Sequence, residues 1–264
     1  RVKVRFSGRL VTGYLVERAG DSEHTGTLAP LQTVVSPEPV LTPEILALAR
    51  ATADRYAGTL ADVLRLAVPP RHARVEREPP PEPGDGAPPR PDPGSWARYD
   101  HGPALLDAVA DGSPARAVWT ALPGGGWPAE VAILLATAYA HGRGALAVVP
   151  DQRDLARLDA ALTELLGPGH HLALTAESGP AERYRRWLAV RRGRTRVVIG
   201  TRAAMFAPVP ALGVAVVWDD GDDLHAEPRA PYPHVRGVLA LRSRLEGAAL
   251  VVGGHARTAE AAAM

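Results

Sequence analysis

The chain contains one lysine, Lys3, among its 30 basic residues, and it contains no cysteine. A GC-rich genome that favours arginine codons accounts for most of the arginine excess. The absence of cysteine excludes disulfide bonds and thiolate zinc sites. No apolar run approaches the roughly 20 residues of a membrane span, so no membrane association is expected and the default location is the cytoplasm.

The formal net charge is +1 in 264 residues, so no global charge marks a nucleic-acid-binding protein. Any such role must come from local basic patches. The length predicts about two domains. The sequence opens at Arg1, without Met and inside a strand-like pattern, and we interpret it as a fragment or as a chain with a missed start.

Composition divides the chain into a small domain at residues 1–70, a linker at 71–96 and a larger domain at 97–264. In the first region, Val2, Val4 and Phe6 alternate with basic residues, which predicts a strand. Further strands are predicted at 12–18 and 31–35, and two helices follow, beginning after Thr42 and at Thr59. Eight of the fifteen residues from Pro79 to Pro93 are proline, which predicts an extended, semi-rigid spacer. A partner-docking motif is the alternative.

The third region alternates short apolar strands with helices. This pattern predicts an α/β fold with a doubly wound parallel sheet of the RecA-like, P-loop NTPase type. Strands are predicted at 117–121, 145–149, 171–175, 196–200, 214–218 and 249–252, and helices at 129–141, 151–166, 180–192 and 235–246. Ligands of such sheets bind at the carboxyl ends of the strands.

A glycine loop follows the first of these strands and consists of Gly124, Gly125 and Gly126. A working phosphate loop carries Lys and then Ser or Thr after its glycines, to contact the phosphates and Mg²⁺. Here the loop continues with Trp127 and Pro128, and no lysine occurs downstream. The loop is either a structural strand–helix turn or a weak phosphate site built from backbone N–H groups.

Several segments resemble the PriA family of replication-restart helicases (primosomal protein N′). The run from Val198 to Pro208, V-I-G-T-R-A-A-M-F-A-P, is similar to the family's G-T-R-S-A-L-F segment. The run from Ser178 to Trp187 is similar to S-G-x-x-x-x-E-R-x-x-x-W, and Val148-Val149-Pro150 stands where the family has V-P-E. In the first region, residues 36–42 and 56–70 look like the end of the family's N-terminal DNA-binding domain.

The motor motifs of that family are altered here. The D-E-E-H box reads Asp219-Asp220-Gly221-Asp222, and the G-S-A-T motif reads Gly253-Gly254-His255-Ala256. The adenine-reading glutamine aligns with Gly102. The winged-helix domain is replaced by the linker, and the second motor lobe and zinc module are absent from these 264 residues. This pattern resembles the helicase-deficient actinobacterial branch of the family.

The resemblance implies DNA contacts through Thr201 and Arg202, and through the turn at Phe6, Gly8 and Arg9, which is similar to a reader of free 3′ ends. A plain hairpin turn is the alternative for that turn. Arg185 and Arg186 lie in a basic run interleaved with Tyr184 and Trp187, which predicts either backbone contacts with base stacking or a solvated helix face.

Asp219 and Asp220 would hold Mg²⁺ and orient water in an intact motor. The alternatives are a solvated loop, caps of the following turn by Asp222 and Asp223, and an aspartate-rich metal site whose ligand geometry the sequence does not specify. No resident cofactor and no zinc are expected, and any binding of ATP or Mg²⁺ is expected to be weak. The resemblance thus predicts a nucleoid-associated replication-restart protein that binds forks, 3′ ends and single strands of DNA without unwinding them. Its expected partners are primosome and replicative-helicase loading proteins and single-stranded DNA-binding protein. A residual DNA-dependent ATPase and a protein scaffold are the competing hypotheses.

Overall fold

A computed structural model describes residues 1–22, 24–79 and 89–264 of the chain. The chain begins with a small antiparallel sheet in the strand order β2-β1-β3. Its strands are β1 (Val2–Phe6), β2 (Arg9–Gly13) and β3 (Thr33–Val34). Three helices follow: α1 (Pro43–Arg55), α2 (Leu60–Ala67) and α3 (Ala73–Glu76). The hydroxyls of Thr42 and Thr59 cap α1 and α2, as their positions in the sequence predict.

The second region forms a six-stranded parallel sheet in the order β4-β9-β8-β5-β7-β6. The strands are β4 (Arg116–Thr120), β5 (Gly144–Val148), β6 (His171–Leu174), β7 (Val197–Gly200), β8 (Leu212–Trp218) and β9 (Ala249–Gly254). The helices are α4 (Gly102–Asp111), α5 (Trp127–Ala140), α6 (Gln152–Leu166), α7 (Pro180–Arg191), α8 (Val235–Glu246) and α9 (Ala259–Ala262). Short 3₁₀ turns occupy Gly94–Arg98, Arg202–Phe206 and Asp223–His225.

Alternate side chains of a strand point to opposite faces of the sheet, and helices cover both faces of this parallel sheet. In β5, Leu146 and Val148 pack with α1, α2, α7 and α8. Ala145 and Ala147 pack on the other side, with α4, α5 and α6. The predicted fold class, a doubly wound α/β sheet preceded by a small β-rich region, is therefore confirmed.

Helices α1 and α2 share the core of the parallel sheet. Ile45, Leu48 and Val63 are fully or almost fully buried in the same cluster as strands β5, β7 and β8. Helix α1 packs on α8, and α2 packs on the 3₁₀ turn at Arg202–Phe206. The domain boundaries at residues 70 and 96 remain a prediction. The two helices before residue 70, α1 and α2, pack against elements of the second region.

The two ends of the predicted linker pack against the protein instead of extending from it. Val75 in α3 and Trp96 are each 2% exposed, since both are apolar side chains within reach of the large sheet's helices. The centre of the predicted proline spacer, at residues 80–88, lies outside the described residues.

Several element predictions differ from the structure, among them the strand predicted at 31–35, which is limited to Thr33–Val34. Strand β2 occupies Arg9–Gly13 rather than residues 12–18, because a two-residue turn joins it directly to β1. Helix α5 begins at Trp127 rather than at residue 129, since proline is compatible with a first helical turn. Helices α3, α4 and α9 were not predicted. In α4, Gly102 and Pro103 stand at the start, where they resemble a turn. Within the described residues no helix has the length and apolar character needed to cross a membrane.

Candidate functional site

The glycine loop lies between β4 and α5, as predicted, and its glycines are exposed. Gly124 and Gly125 have φ angles of 108° and 76°, which glycine adopts without strain. Gly126 is the N-cap of α5 and provides no side-chain cap. Pro128 removes one N–H donor from the first turn of α5. The loop thus has the backbone of an anion site but offers fewer donors than a working phosphate loop.

The side chain of Trp127 packs into the core beneath this loop. It is 1% exposed, and its ring stacks on that of Trp218 with centroids 4.3 Å apart and planes at 10°. The guanidinium of Arg157 lies 5.1 Å from the Trp127 ring centre. In a working phosphate loop this position carries a lysine, whose ammonium group contacts the phosphates. Here the position carries an aromatic side chain that packs into the core. The indole turns inward and does not crowd the loop.

The region around Gly102 leaves no space for a side chain. A Cβ atom at this position would overlap the carbonyl oxygen of Trp96. The Nε1 of Trp96 in turn donates to the carbonyl of Glu130 at 2.8 Å. A glutamine at this point of the chain could not be accommodated without moving Trp96.

The acidic box begins at the carboxyl end of β8. Asp219 has a φ of 54°, in the left-handed region that aspartate tolerates better than most residues. Burial raises the pKa of its carboxyl group, and the nearby charges of Asp222 and Asp154 raise it further. The carboxylate of Asp222 accepts a hydrogen bond from the N–H of Leu224 at 2.8 Å. The capping interpretation is thus confirmed for Asp222.

Asp220 is held in an ion pair. Its two carboxylate oxygens each lie 2.6 Å from Nη1 of Arg236, and the hydroxyl of Thr258 donates to Oδ2 at 2.5 Å. The Asp220 side chain is 4% exposed. A carboxylate that is buried and ion-paired in this way is poorly placed to orient an attacking water. The sequence prediction missed both partners, which lie 16 and 38 residues away along the chain.

His225 lies buried next to the acidic box. Its Nε2 donates to the carbonyl of Trp218 at 2.8 Å, and burial lowers the pKa of the imidazole. Among the described residues, no group of three or more His, Asp or Glu side chains is arranged to hold a metal ion. The predicted aspartate-rich metal alternative therefore gains no support from the geometry of this part of the chain.

The depressed pKa of His225 predicts a loss of stability in mild acid. The unfolded chain takes up a proton at His225 near pH 6.5, whereas the folded protein takes it up only at lower pH. Stability is therefore complete above pH 6.5 and falls as the pH drops below it. Urea titrations between pH 7.5 and 5 should show a smaller decline for His225→Gln than for the wild type. Equal declines in the two proteins would contradict this assignment.

The turn between β1 and β2 is a tight hairpin. Ser7 and Gly8 have φ angles of 47° and 77°, so both central residues are left-handed, as in a type I′ turn. Phe6 and Arg9 are cross-strand partners on either side of this turn. The Phe6 ring is 71% exposed, and Arg9 is exposed as well. The hairpin therefore presents an aromatic ring and a guanidinium side by side to solvent.

Thr201 and Arg202 lie at the carboxyl end of β7, beside a cleft of about 490 Å³. Arg202 is already paired: its Nε lies 3.0 Å from Oε2 of Glu227, and its Nη1 donates to the carbonyl of Leu224 at 2.6 Å. The cleft contains further arginines that the sequence prediction did not assign to this edge of the sheet. These are Arg65, Arg183 and Arg229.

The two arginines predicted on α7 have acidic partners. Arg185 pairs with Glu78 at 2.7 Å and also with Glu182. Arg186 bonds Glu182 at 2.7 Å and the carbonyl of Ala173 at 3.0 Å. The aromatic residues interleaved with them, Tyr184 and Trp187, are 0% and 4% exposed. Burial of Tyr184 and Trp187 argues against base stacking and favours the helix-face alternative, although the two arginines form ion pairs within the protein and are not simply solvated.

Comparison with known proteins finds a matching domain family for the first region and relatives that align with both regions. Residues 1–69 match the PriA 3′ DNA-binding domain family. All 264 residues align at 55% identity with a probable replication restart protein PriA of Mycobacterium tuberculosis, and cover 40% of its length. The corresponding Mycobacterium leprae protein is 53% identical over 267 positions, and 41% of its length is covered.

More distant proteins show weaker similarity. The replication restart protein PriA of Treponema pallidum is 26% identical over 99% of this chain and 40% of its own. The DUF1998 helicase MrfA bound to DNA superposes with a TM-score of 0.39 at 12% identity, over 56% of this chain and 20% of that one. The chain spans about 40% of the length of its mycobacterial relatives. Residues 1–69 thus match a PriA 3′ DNA-binding domain, and the chain as a whole is similar to part of the mycobacterial PriA proteins.

Proposed function

We propose that this chain acts in replication restart as a DNA-binding protein that recognises stalled forks or free 3′ ends and does not unwind DNA. The observation that carries the proposal is the match of residues 1–69 to the PriA 3′ DNA-binding domain. The relatives are replication restart proteins. The function of the longer relatives is carried over here as a proposal, because the chain covers only part of them.

The hairpin tip provides suitable chemistry for a DNA end. An exposed aromatic ring such as Phe6 can stack on a terminal base, and a neighbouring guanidinium such as Arg9 can bind the phosphate. Gly8 allows the backbone to approach a ligand closely, because it carries no Cβ. Neither contact requires ATP.

Two features of the second region support the absence of unwinding. Phosphoryl transfer depends almost entirely on stabilising charge around the transferred group. Here the glycine loop is followed by a buried indole, Trp127, and the second acidic residue, Asp220, is neutralised by Arg236. We therefore propose that the chain uses no resident cofactor and that ATP and Mg²⁺ bind weakly or not at all.

The remaining parts of the proposal concern partners and location. Primosome proteins, loaders of the replicative helicase and single-stranded DNA-binding protein are the partners that a restart factor requires. A location on the nucleoid follows from DNA binding. Exposed apolar side chains on the small sheet, including Leu10 at 54% and Val34 at 62%, leave surface for protein contacts in addition to DNA.

DNA-binding measurements can test the proposed role of the hairpin. We expect Arg9→Gln to lower affinity for a fork with a free 3′ end by about tenfold, as for loss of one charge-assisted phosphate contact. The loss should be smaller for the same fork with a 3′-phosphate, because that end is already blocked. Fluorescence anisotropy at several salt concentrations measures both values.

The matched control is Arg50→Gln, which removes an exposed arginine of α1 from the same matched region. Its affinity should equal that of the wild type. Equal affinity of the wild type for a 3′-ended fork and a blunt duplex would overturn the proposed function, as would an affinity independent of salt.

A further inference from the structure

Four arginines lie at the amino ends of the parallel strands, at the edge of the sheet opposite the glycine loop and the acidic box. Arg116 begins β4, Arg143 directly precedes β5, and Arg194 and Arg196 precede β7. Arg143 is partly exposed, and the other three side chains are exposed. We refer to these four residues as the arginine row.

Contacts of two members show that the row continues across the sheet. Nη1 of Arg196 donates to the carbonyl of Gly142 at 2.7 Å, so this guanidinium lies beside the residue that precedes Arg143. Nη2 of Arg143 donates to the carbonyl of Asp111 at 3.1 Å, at the end of α4, and a short turn leads from there to Arg116. The five strands from β4 to β7 span about 19 Å, at about 4.8 Å between neighbours. The row is therefore one continuous surface of about that length.

The protein does not neutralise the charge of this row. In the described part of the chain, none of the four side chains forms an ion pair. The hydrogen bonds of Arg143 and Arg196 go to backbone carbonyls, which orient a guanidinium without cancelling its charge. By contrast, Arg185 and Arg192, in and directly after α7, are each paired with a glutamate. A guanidinium has five N–H donors, so most donors of the row stay available to a ligand.

The position of the row explains how it is stable without counter-ions. Arg143 follows the C-terminus of α5, and Arg194 and Arg196 follow that of α7, where the helix dipole favours a cation. The exposed carboxylate of Asp111 lies at the same edge but forms no ion pair within the described residues. The row thus keeps a net positive charge and needs no ligand in order to fold.

The surroundings of the row indicate which ligand it fits. Its segments, 111–116, 141–143 and 193–196, contain none of the large apolar side chains that are exposed among the described residues. Protein interfaces use aromatic or apolar anchors, and single-strand sites use aromatic rings on which bases stack. Each segment instead contains a glycine, which adds no side chain beside the arginines. Such a surface fits the phosphodiester backbone of a duplex, which arginine contacts without reading the bases.

We infer that the arginine row binds the phosphate backbone of a DNA duplex, such as the double-stranded arm of a fork. The inference rests on the proposed DNA-binding function and adds a duplex contact to the proposed contact at the 3′ end. The row lies one strand length, about 16 Å, from the edge that carries the acidic box, so it is separate from the cleft beside Thr201. A duplex carries a phosphate charge about every 1.7 Å along its axis, so a surface of this length faces several phosphates.

A duplex whose two ends are closed by loops isolates the row from the hairpin, because it has no free 3′ end. We expect the full chain to bind this closed duplex. The double variant Arg116→Gln, Arg194→Gln should weaken that binding about tenfold, the effect of losing two exposed charge contacts. The slope of log affinity against log salt should fall by about 0.9 for each lost contact. Fluorescence anisotropy measures both quantities, and Arg9→Gln should bind the closed duplex like the wild type.

The choice of variants separates binding from folding. The side chains of Arg116 and Arg194 make no hydrogen bond in the described structure, so their double variant should melt at the same temperature as the wild type. The matched control Arg50→Gln, Arg98→Gln removes two exposed arginines outside the row and should bind the closed duplex like the wild type. Equal affinities of the two double variants would overturn the inference. A lower melting temperature of the row variant would do so too, because it would point to a structural role.

The inference and the proposed function can fail separately. Absence of binding to the closed duplex would overturn the role of the row even if 3′-ended forks still bind. Equal affinity of the wild type for a 3′-ended fork and a blunt duplex would overturn the proposed function, even if the row variant still loses affinity for the closed duplex. Polyglutamate tests an acidic polypeptide as the occupant: polyglutamate binding that requires Arg116 and Arg194, without binding of the closed duplex, would reject a DNA duplex.

Discussion

Trp127→Ala is expected to lower the free energy of unfolding by about 3–5 kcal/mol, the usual cost of deleting a buried tryptophan side chain. The indole is 1% exposed and stacks on Trp218. Its removal leaves a cavity between α5 and the sheet that the surrounding aromatic side chains cannot fill. Urea titration monitored by far-ultraviolet circular dichroism measures the change.

Trp127→Phe is the control for this prediction, since it retains an aromatic ring and should lose less than half as much stability.

The double variant Trp127→Lys, Pro128→Thr reproduces the residue types of a phosphate loop. We expect it to be strongly destabilised, because an ammonium would enter an apolar core. Its ATP turnover with saturating single-stranded DNA should equal that of Asp219→Ala. A stable double variant that hydrolyses ATP would contradict the assignment of Trp127 to the core.

Arg236→Ala is expected to lower the free energy of unfolding by about 3 kcal/mol or more, since it leaves the Asp220 carboxylate buried without its counter-ion. The side chains of Arg236 and Asp220 are 15% and 4% exposed. Thr258 supplies one remaining hydrogen bond, which does not neutralise the charge. Equilibrium denaturation at pH 7.5 measures the loss.

A double-mutant cycle provides the control. The variant Asp220→Ala, Arg236→Ala should be more stable than the sum of the single losses predicts, because no charge is then left unpaired. Arg244→Ala, on the exposed face of the same helix, should change stability by less than about 0.5 kcal/mol. Additive losses for Asp220 and Arg236 would show that their ion pair contributes nothing to the fold.

The sequence predicts the parallel sheet well because its signals are local. Short apolar strands, the hydroxyl caps at Thr42 and Thr59, and the glycine turn before α5 each lie within a few residues of the element they specify. The hairpin at Ser7 and Gly8 is likewise encoded by adjacent residues. The altered phosphate loop can be read directly from the order of amino acids.

The contacts that determine the chemistry of the candidate site are long-range, so they cannot be predicted from local sequence patterns. No periodicity shows that Asp220 pairs with Arg236, or that Trp127 turns inward towards Trp218. The arginine run on α7 shows the same limitation. Two arginines of this run that are two positions apart differ in their surroundings: Arg185 binds Glu78, which lies 107 positions earlier, whereas Arg183 lines the cleft beside Thr201.

The stack of Trp127 on Trp218 has a consequence for how this sequence can change over generations. Replacement of Trp127 by lysine, which a phosphate-binding loop requires, removes part of the core and lowers stability. No catalytic gain accompanies that first step, because Asp220 stays neutralised by Arg236. Selection for a folded protein therefore acts against the lysine replacement when it occurs alone.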